Sequence, residues 1–146
     1  MFKCLLDTVT YIDLQRARTR PRNPQSANTL RHATNYINQY GKLTLSTLTV
    51  MELAAGITNL AHRLQAFKQQ VTATFDIIGF NEDAACIGGE IYARLEASGQ
   101  RIGVADTAIA AIALPHGLTL VTANDRHFQR VVNLGYSLTL ENWRNS

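Results

Sequence analysis

The chain lacks most of the features that would tie it to a special environment or cofactor. Its 146 residues include only two cysteines, and neither has a second cysteine near it, so no disulfide framework or paired thiolate site is on offer. Cys4 falls in an apolar strand-like run and Cys86 in a helix-like one, and both are expected to be buried small hydrophobes. No apolar run approaches the roughly 20 residues needed to span a bilayer. The amino terminus also lacks the basic, apolar and small-residue succession of an export signal. The expectation is a cytoplasmic protein with no membrane contact. The four histidines, His32, His62, His116 and His127, form no pair at zinc-ligand spacing. There is no G-x-S-x-G, no G-x-x-x-x-G-K-S/T and no G-x-G-x-x-G, which removes the hydrolase elbow and the nucleotide loops. Gly88-Gly89 stands inside a helix pattern and is expected to mark close packing.

What is present reads as an ordinary globular chain. The apolar fraction of 46% and charged fraction of 17% sit near folded averages. The length suits one domain, residues 1–146, with a core that needs no staple. A net charge of +3 and a pI of about 9.1 favour a polyanionic partner. Arg16, Arg18, Arg20, Arg22 and Arg31 share a stretch without an acid. Such a stretch is either a solvated loop or a grip for phosphates.

Hydrophobic spacing alternates strand-like and helix-like segments along the whole chain. Strands are expected over residues 2–6, 43–48, 72–80, 118–121 and 136–140. Helices are expected from residue 8 to about 16, then over 30–40, 49–57, 60–71, 81–98, 107–114 and 124–132, with a loop over 16–28 around Pro21 and Pro24. Gly41 and Gly99 suit the position past a helix end. The segment at 107–114 is almost wholly apolar and is expected at the centre of the fold. Strands separated by helices, with no tight hairpin dipeptide between them, imply parallel strands and right-handed crossovers. The expected architecture is α/β, a three-layer sandwich with a mostly parallel central sheet flanked by helices.

In an open parallel sheet ligands bind beyond the carboxyl ends of the strands, so the informative acids follow a strand or open a helix. Asp7 follows the first strand, Glu52 lies in the first turn after the second, and Asp106 opens the apolar helix. Asn124 and Asp125 follow the fourth strand. Each taken singly is explained by helix capping and the helix dipole. Together they would crowd carboxylates into one cleft, where like charges repel unless an oxygen-preferring cation lies between them. Mg²⁺ or Mn²⁺ fits, and phosphodiester hydrolysis by activated water is chemistry such an ion supports.

These residues stand in familiar surroundings: Leu5-Leu6-Asp7-Thr8, then Met51-Glu52-Leu53-Ala54-Ala55-Gly56, then Ile102-Gly103-Val104-Ala105-Asp106-Thr107-Ala108-Ile109-Ala110-Ala111. The pattern resembles the PIN domains. Leu118-Thr119-Leu120-Val121-Thr122-Ala123-Asn124 with Phe128, and Glu141-Asn142-Trp143 near the end, resemble the VapC-type toxins of bacterial toxin–antitoxin pairs. The resemblance implies a metal-dependent endoribonuclease in which Asp7, Glu52 and Asp106 hold Mg²⁺ or Mn²⁺ and Asn124 takes a fourth position, with Asp125 a further donor if it turns inward. It also implies a homodimer, an RNA substrate and a small antitoxin that inserts a basic residue into the cleft. Thr8 matches a hydroxyl that orients a carboxylate or binds phosphate, and Arg16, Arg18 and Arg20 are candidates to bind substrate phosphates.

The chain departs from the family pattern at two places. Val9 stands where Asn usually follows Asp-Thr, and an Asp often found near Asn81 is absent. Both departures, with the neutral Asn124, support an alternative: a catalytically attenuated PIN-like module that binds RNA or protein. A receiver-type signalling domain also gathers acids at a parallel edge. It would want paired acids near the first strand and a late lysine, whereas this chain has Asp7 alone and no lysine beyond Lys68.

Overall fold

The computed structural model describes residues 3–20 and 23–146. Phe2, expected to open the first strand, and Pro21 and Arg22, expected in a loop, lie outside the described residues. The elements run β1 Cys4–Leu6, α1 Thr8–Thr19, α2 Pro24–Tyr40, β2 Thr44–Ser46, α3 Thr47–Ala55, α4 Leu60–Thr74, β3 Asp76–Ile78, α5 Glu82–Ala97, α6 Val104–Ala113, β4 Thr119–Val121, α7 Asp125–Asn133 and β5 Leu140–Glu141.

The five strands form one sheet in the order β3-β2-β1-β4-β5, and every pair is parallel. β1 sits in the middle, and the chain order reverses on either side of it, which opens a crevice at its carboxyl end. Side chains alternate across the pleat. Leu5 and Leu120 join the core under α5, α6 and α7. Cys4, Leu6 and Val121 join the core under α1 to α4, closed by Trp143. The expected three layers are therefore present, and α6 is buried at every position from Thr107 to Ala113.

Several boundaries differ from the sequence reading. The expected loop over 16–28 is mostly helix: α1 continues to Thr19, and α2 begins at Pro24 with Asn23 as its cap. Arg16 and Arg18 lie in the last turn of α1, where cations oppose the negative end of the helix dipole. Proline at the first position of α2 costs nothing, because its missing N–H would be unpaired there. The strand expected over 72–80 is shortened because α4 runs to Thr74. The Thr72 and Thr74 hydroxyls donate back to the carbonyls of Lys68 and Gln70, a contact that lets Thr sit in a helix. The last strand covers Leu140–Glu141 rather than residues 136–140.

Cys86 is exposed, contrary to expectation. The buried face of α5 carries Ala84, Gly88, Ile91 and Leu95, and Cys86 points off that stripe. Gly88 does pack closely, since a Cβ there would stand 3.3 Å from the Ala111 Cβ, whereas Gly89 has open space.

Burial pushes the Cys4 thiol up to about 12, so it holds almost no thiolate, the reactive form, at neutral pH. Native protein treated with a maleimide should therefore add one label, at Cys86, and a second only after denaturation. A Cys86→Ser variant should remain unlabelled while folded.

Candidate active site

The register places the ends of β1, β2, β3 and β4 along one edge, with Leu6 opposite both Leu45 and Val121 and Ser46 opposite Ile78. Asp7 and Thr122, the residues after β1 and β4, meet at this edge. Asp7 is only 3% exposed. Its Oδ1 accepts from the Thr10 backbone N–H at 2.8 Å, capping α1. Its Oδ2 accepts from the Thr122 hydroxyl at 2.5 Å. Burial raises the Asp7 carboxyl above its ordinary value, the Thr122 and Thr10 hydrogen bonds pull the other way, and the neighbouring Asp106 charge raises it further.

From Asp7 a chain of polar contacts leads to Asp106. The Thr122 hydroxyl also accepts from the Asn124 backbone N–H at 2.9 Å. The Asn124 side-chain amide lies 2.8 Å from His127 Nδ1, and that nitrogen lies 3.2 Å from Asp106 Oδ2. Asp106 sits in the first turn of α6, where the helix dipole favours a carboxylate. Gly103, at φ +93, turns the chain into that helix.

Glu52 reaches the same edge from the other side. It lies in the second turn of α3, not the first, because α3 already begins at Thr47 with Ser46 as its cap. The Thr8 hydroxyl donates to Glu52 Oε1 at 3.1 Å and pairs with the Thr49 hydroxyl at 2.9 Å. Thr8 is thus in hydrogen-bond contact with a carboxylate of the crevice. Asn81 caps α5 through the Ala84 N–H, a role that needs no charge.

The remaining sequence candidates fall elsewhere. Asp125 is exposed, and its Oδ2 accepts from the Asn142 amide at 3.3 Å, away from the Asp106 cluster. Arg16 and Arg20 lie about 14 and 20 Å from Asp7 along α1, at 1.5 Å per residue. Arg18 lines a separate cleft of about 300 Å³ with Tyr11, Leu53 and Phe67. Sequence reasoning did not place Thr10, Thr122 or His127 in the site. Thr122 directly follows β4, and His127 stands three residues after Asn124, so both had a positional signal.

The donor set is carboxylate, hydroxyl, amide and one imidazole, with no thiolate, which suits a hard divalent cation. Among the described residues no three His, Cys, Asp or Glu side chains already converge on one point. Asp7 and Asp106 are close enough to feel each other's charge, and Glu52 is tied to the residue next to Asp7.

Comparison with known proteins gives a consistent result. The tRNA(fMet)-specific endonuclease VapC of Shigella flexneri is 35% identical over 100 residues, covering 67% of this chain and 75% of that protein. Ribonuclease VapC2 of Haemophilus influenzae is 35% identical over 105 residues, covering 70% of this chain and 76% of that one. Among solved structures, a chain of DNA-bound VapBC from Salmonella typhimurium superposes with a TM-score of 0.72 at 26% identity, covering 98% of this chain and 99% of that one. VapBC2 from Rickettsia felis, bound to a promoter DNA fragment, gives 0.69 at 26% identity, with the same coverage of 98% and 99%. The PIN domain family model matches residues 4–134, from β1 through α7 and so across every acid of the crevice: this chain belongs to the PIN domain family.

Proposed function

We propose that the chain is a metal-dependent endoribonuclease, the toxin of a type II toxin–antitoxin pair, hydrolysing RNA phosphodiester bonds with Mg²⁺ or Mn²⁺ held by Asp7, Glu52 and Asp106. The observation that carries this reading is the buried Asp7 carboxylate, joined through Thr122, Asn124 and His127 to Asp106 at the sheet's carboxyl edge. Capping α1 explains a side-chain oxygen at Asp7 but not a buried carboxyl within reach of the Asp106 charge, an arrangement that costs stability without a cation. The names of the ribonuclease relatives support RNA as substrate. The VapBC complexes support an antitoxin partner. In this reading residues 1–146 act as one catalytic domain, pair as a homodimer and work in the cytoplasm.

A divalent cation bound in the crevice supplies a polarised phosphate oxygen and an acidified water for in-line attack. The residues of the chain do the positioning. Thr10 and Thr122 fix both Asp7 oxygens. Thr8 steers Glu52, which is exposed and free to swing towards Asp7 by a rotamer change. His127 Nδ1 stands between the Asn124 amide and Asp106 Oδ2 and, when it carries a proton, donates to Asp106; Asn124 contributes a neutral amide, leaving three carboxylates to balance the cation.

Two features favour the second reading, an attenuated module that binds RNA or protein. Asn124 adds no charge, and Val9 in the first turn of α1 is 45% exposed with no polar group to offer Asp7. A Val9→Asn variant should raise metal affinity and cutting by about 10-fold if an outer contact is what the site lacks. No change in either would favour the binding module.

Purified protein should cut a labelled structured-RNA pool with Mg²⁺ or Mn²⁺ and not with EDTA. Asp7→Asn and Asp106→Asn should each lower the rate by about 100-fold or more, a loss of a few kcal/mol in transition-state stabilisation. RNA binding without cutting at high Mn²⁺ would defeat the nuclease reading.

The raised Asp7 carboxyl also predicts a stability profile. A group that binds its proton more tightly folded than unfolded contributes stability that is complete below its ordinary value of 3.8 and is lost as pH rises through the folded value. Asn keeps the cap and removes that loss. Metal-free Asp7→Asn should melt above the wild type at neutral pH, by about 3 °C for each kcal/mol recovered, and the two should converge in acid. Added Mn²⁺ should raise the Tm of the wild type and not that of the variant.

A further inference from the structure

A groove of about 680 Å³ lies away from the acidic crevice and is lined by Asp13, Arg16 and Arg20 of α1 and its cap, by Ser26 and Thr29 of α2, and by Arg144. Three arginines from two distant parts of the chain converge on it against one acid. Arg144 is held in place by Asp13, whose Oδ2 accepts from Nε at 2.8 Å and from Nη2 at 2.6 Å. This leaves Arg144 Nη1 without a protein partner among the described residues. Arg16 and Arg20 are exposed, and among the described residues neither is in an ion pair. The helix dipole accounts for an arginine in the last turn of α1. It does not account for Arg144 being brought across the molecule and fixed into the same groove.

Two elements run between the groove and the acidic edge. One is α1 itself, which begins at Asp7 and carries Arg16 and Arg20 on its far turns. The other is the segment after β5, where the Arg144 backbone N–H donates to Asn142 Oδ1 at 3.0 Å and the Asn142 amide donates to Asp125, the residue next to Asn124. The separation of about 14 to 20 Å along α1 corresponds to about four to six nucleotides of a stacked strand at 3.4 Å each.

We propose that this groove is a second substrate site, in which Arg16, Arg20 and Arg144 bind phosphates of the RNA strand about four to six nucleotides from the bond in the acidic crevice. The assignment rests on the ribonuclease reading for its ligand and on the arginine geometry for its place. An acidic centre repels a polyanion, so the attraction that retains the strand has to come from outside the crevice. The planar guanidinium forks are suited to phosphate oxygens. Arg18, which points into the other cleft, takes no part.

The test measures binding apart from cutting. Anisotropy of a labelled single-stranded oligoribonucleotide, long enough to span crevice and groove, is followed in EDTA over a salt series. The comparison is wild type, Arg16→Gln/Arg20→Gln, Arg16→Lys/Arg20→Lys, Arg144→Gln and the control Arg101→Gln, whose side chain pairs with Glu96 elsewhere. The glutamine pair should weaken binding at least 10-fold and flatten the log K against log salt slope by about 1.4, at about 0.7 per phosphate contact. The lysine pair should keep most of the slope, Arg144→Gln should flatten it by about 0.7, and the control should keep wild-type affinity. Wild-type protein that binds no RNA, a glutamine pair that binds as the wild type does, or a control that loses as much would each overturn the proposal. RNA that is cut normally while the glutamine pair binds unchanged removes the groove and leaves the nuclease. RNA that is bound through the groove but never cut removes the nuclease and leaves the groove.

Discussion

One buried carboxylate organises this molecule. Asp7 ends the central strand, caps the first helix through the Thr10 N–H and takes the Thr122 hydroxyl from the neighbouring strand end. A single side chain thus fixes the angle at which α1 leaves the sheet and ties β1 to the turn after β4. The Thr10 hydroxyl repeats the link by donating to the Val121 carbonyl at 3.1 Å. Polar ties of this kind are costly to leave half made in a dry site. The crevice is therefore held rigid from beneath while Glu52 and Asp106 stay partly in solvent above it.

The elements most open to sequence reading were those whose physics is local. The apolar run before Asp7, the all-buried α6 and the helix stops at Gly41 and Gly99 follow from spacing and turn chemistry, and with them the parallel topology. The strands proved short because each is only as long as the two cores need. Helices with polar faces, such as the end of α1 and the start of α2, look like loop in sequence because their stabilisation comes from caps and dipole rather than from a visible apolar stripe. Cys86 is exposed for a related reason, since a helix-like segment has an outer face, and only the phase of Ala84, Gly88, Ile91 and Leu95 says which residues it takes.

That Asp7, Glu52 and Asp106 fall along one edge is legible in sequence, because topology alone brings strand ends together. The contacts of the hydroxyls are not, although Thr8 stands beside Asp7 in the chain. Thr10 and Thr49 are ordinary helix residues and Thr122 an ordinary loop residue, and their roles depend on which neighbour the fold sets opposite them. Thr49, for instance, meets Thr8 across 41 positions of chain. His127 was set aside because it has no histidine partner at zinc spacing. Its partners turned out to be Asn124, three residues away on the same turn, and Asp106 from another helix.

Charge is distributed along α1 in a way that neither end explains alone. The helix begins on a buried acid and ends in arginines, an order aligned with its own dipole and therefore favourable even in an isolated helix. The sequence reading treated those arginines as one patch, but helical phase divides them. Arg18 turns towards Tyr11 and Phe67, while Arg16 and Arg20 turn towards Arg144. Division matters for a polyanion, because a diffuse patch attracts without orienting, whereas an arginine fixed by an acid, as Arg144 is by Asp13, presents its free donors in one direction. The acidic crevice and the basic groove are then two ends of one helix, and the rigidity that Asp7 gives to that helix sets the distance between them.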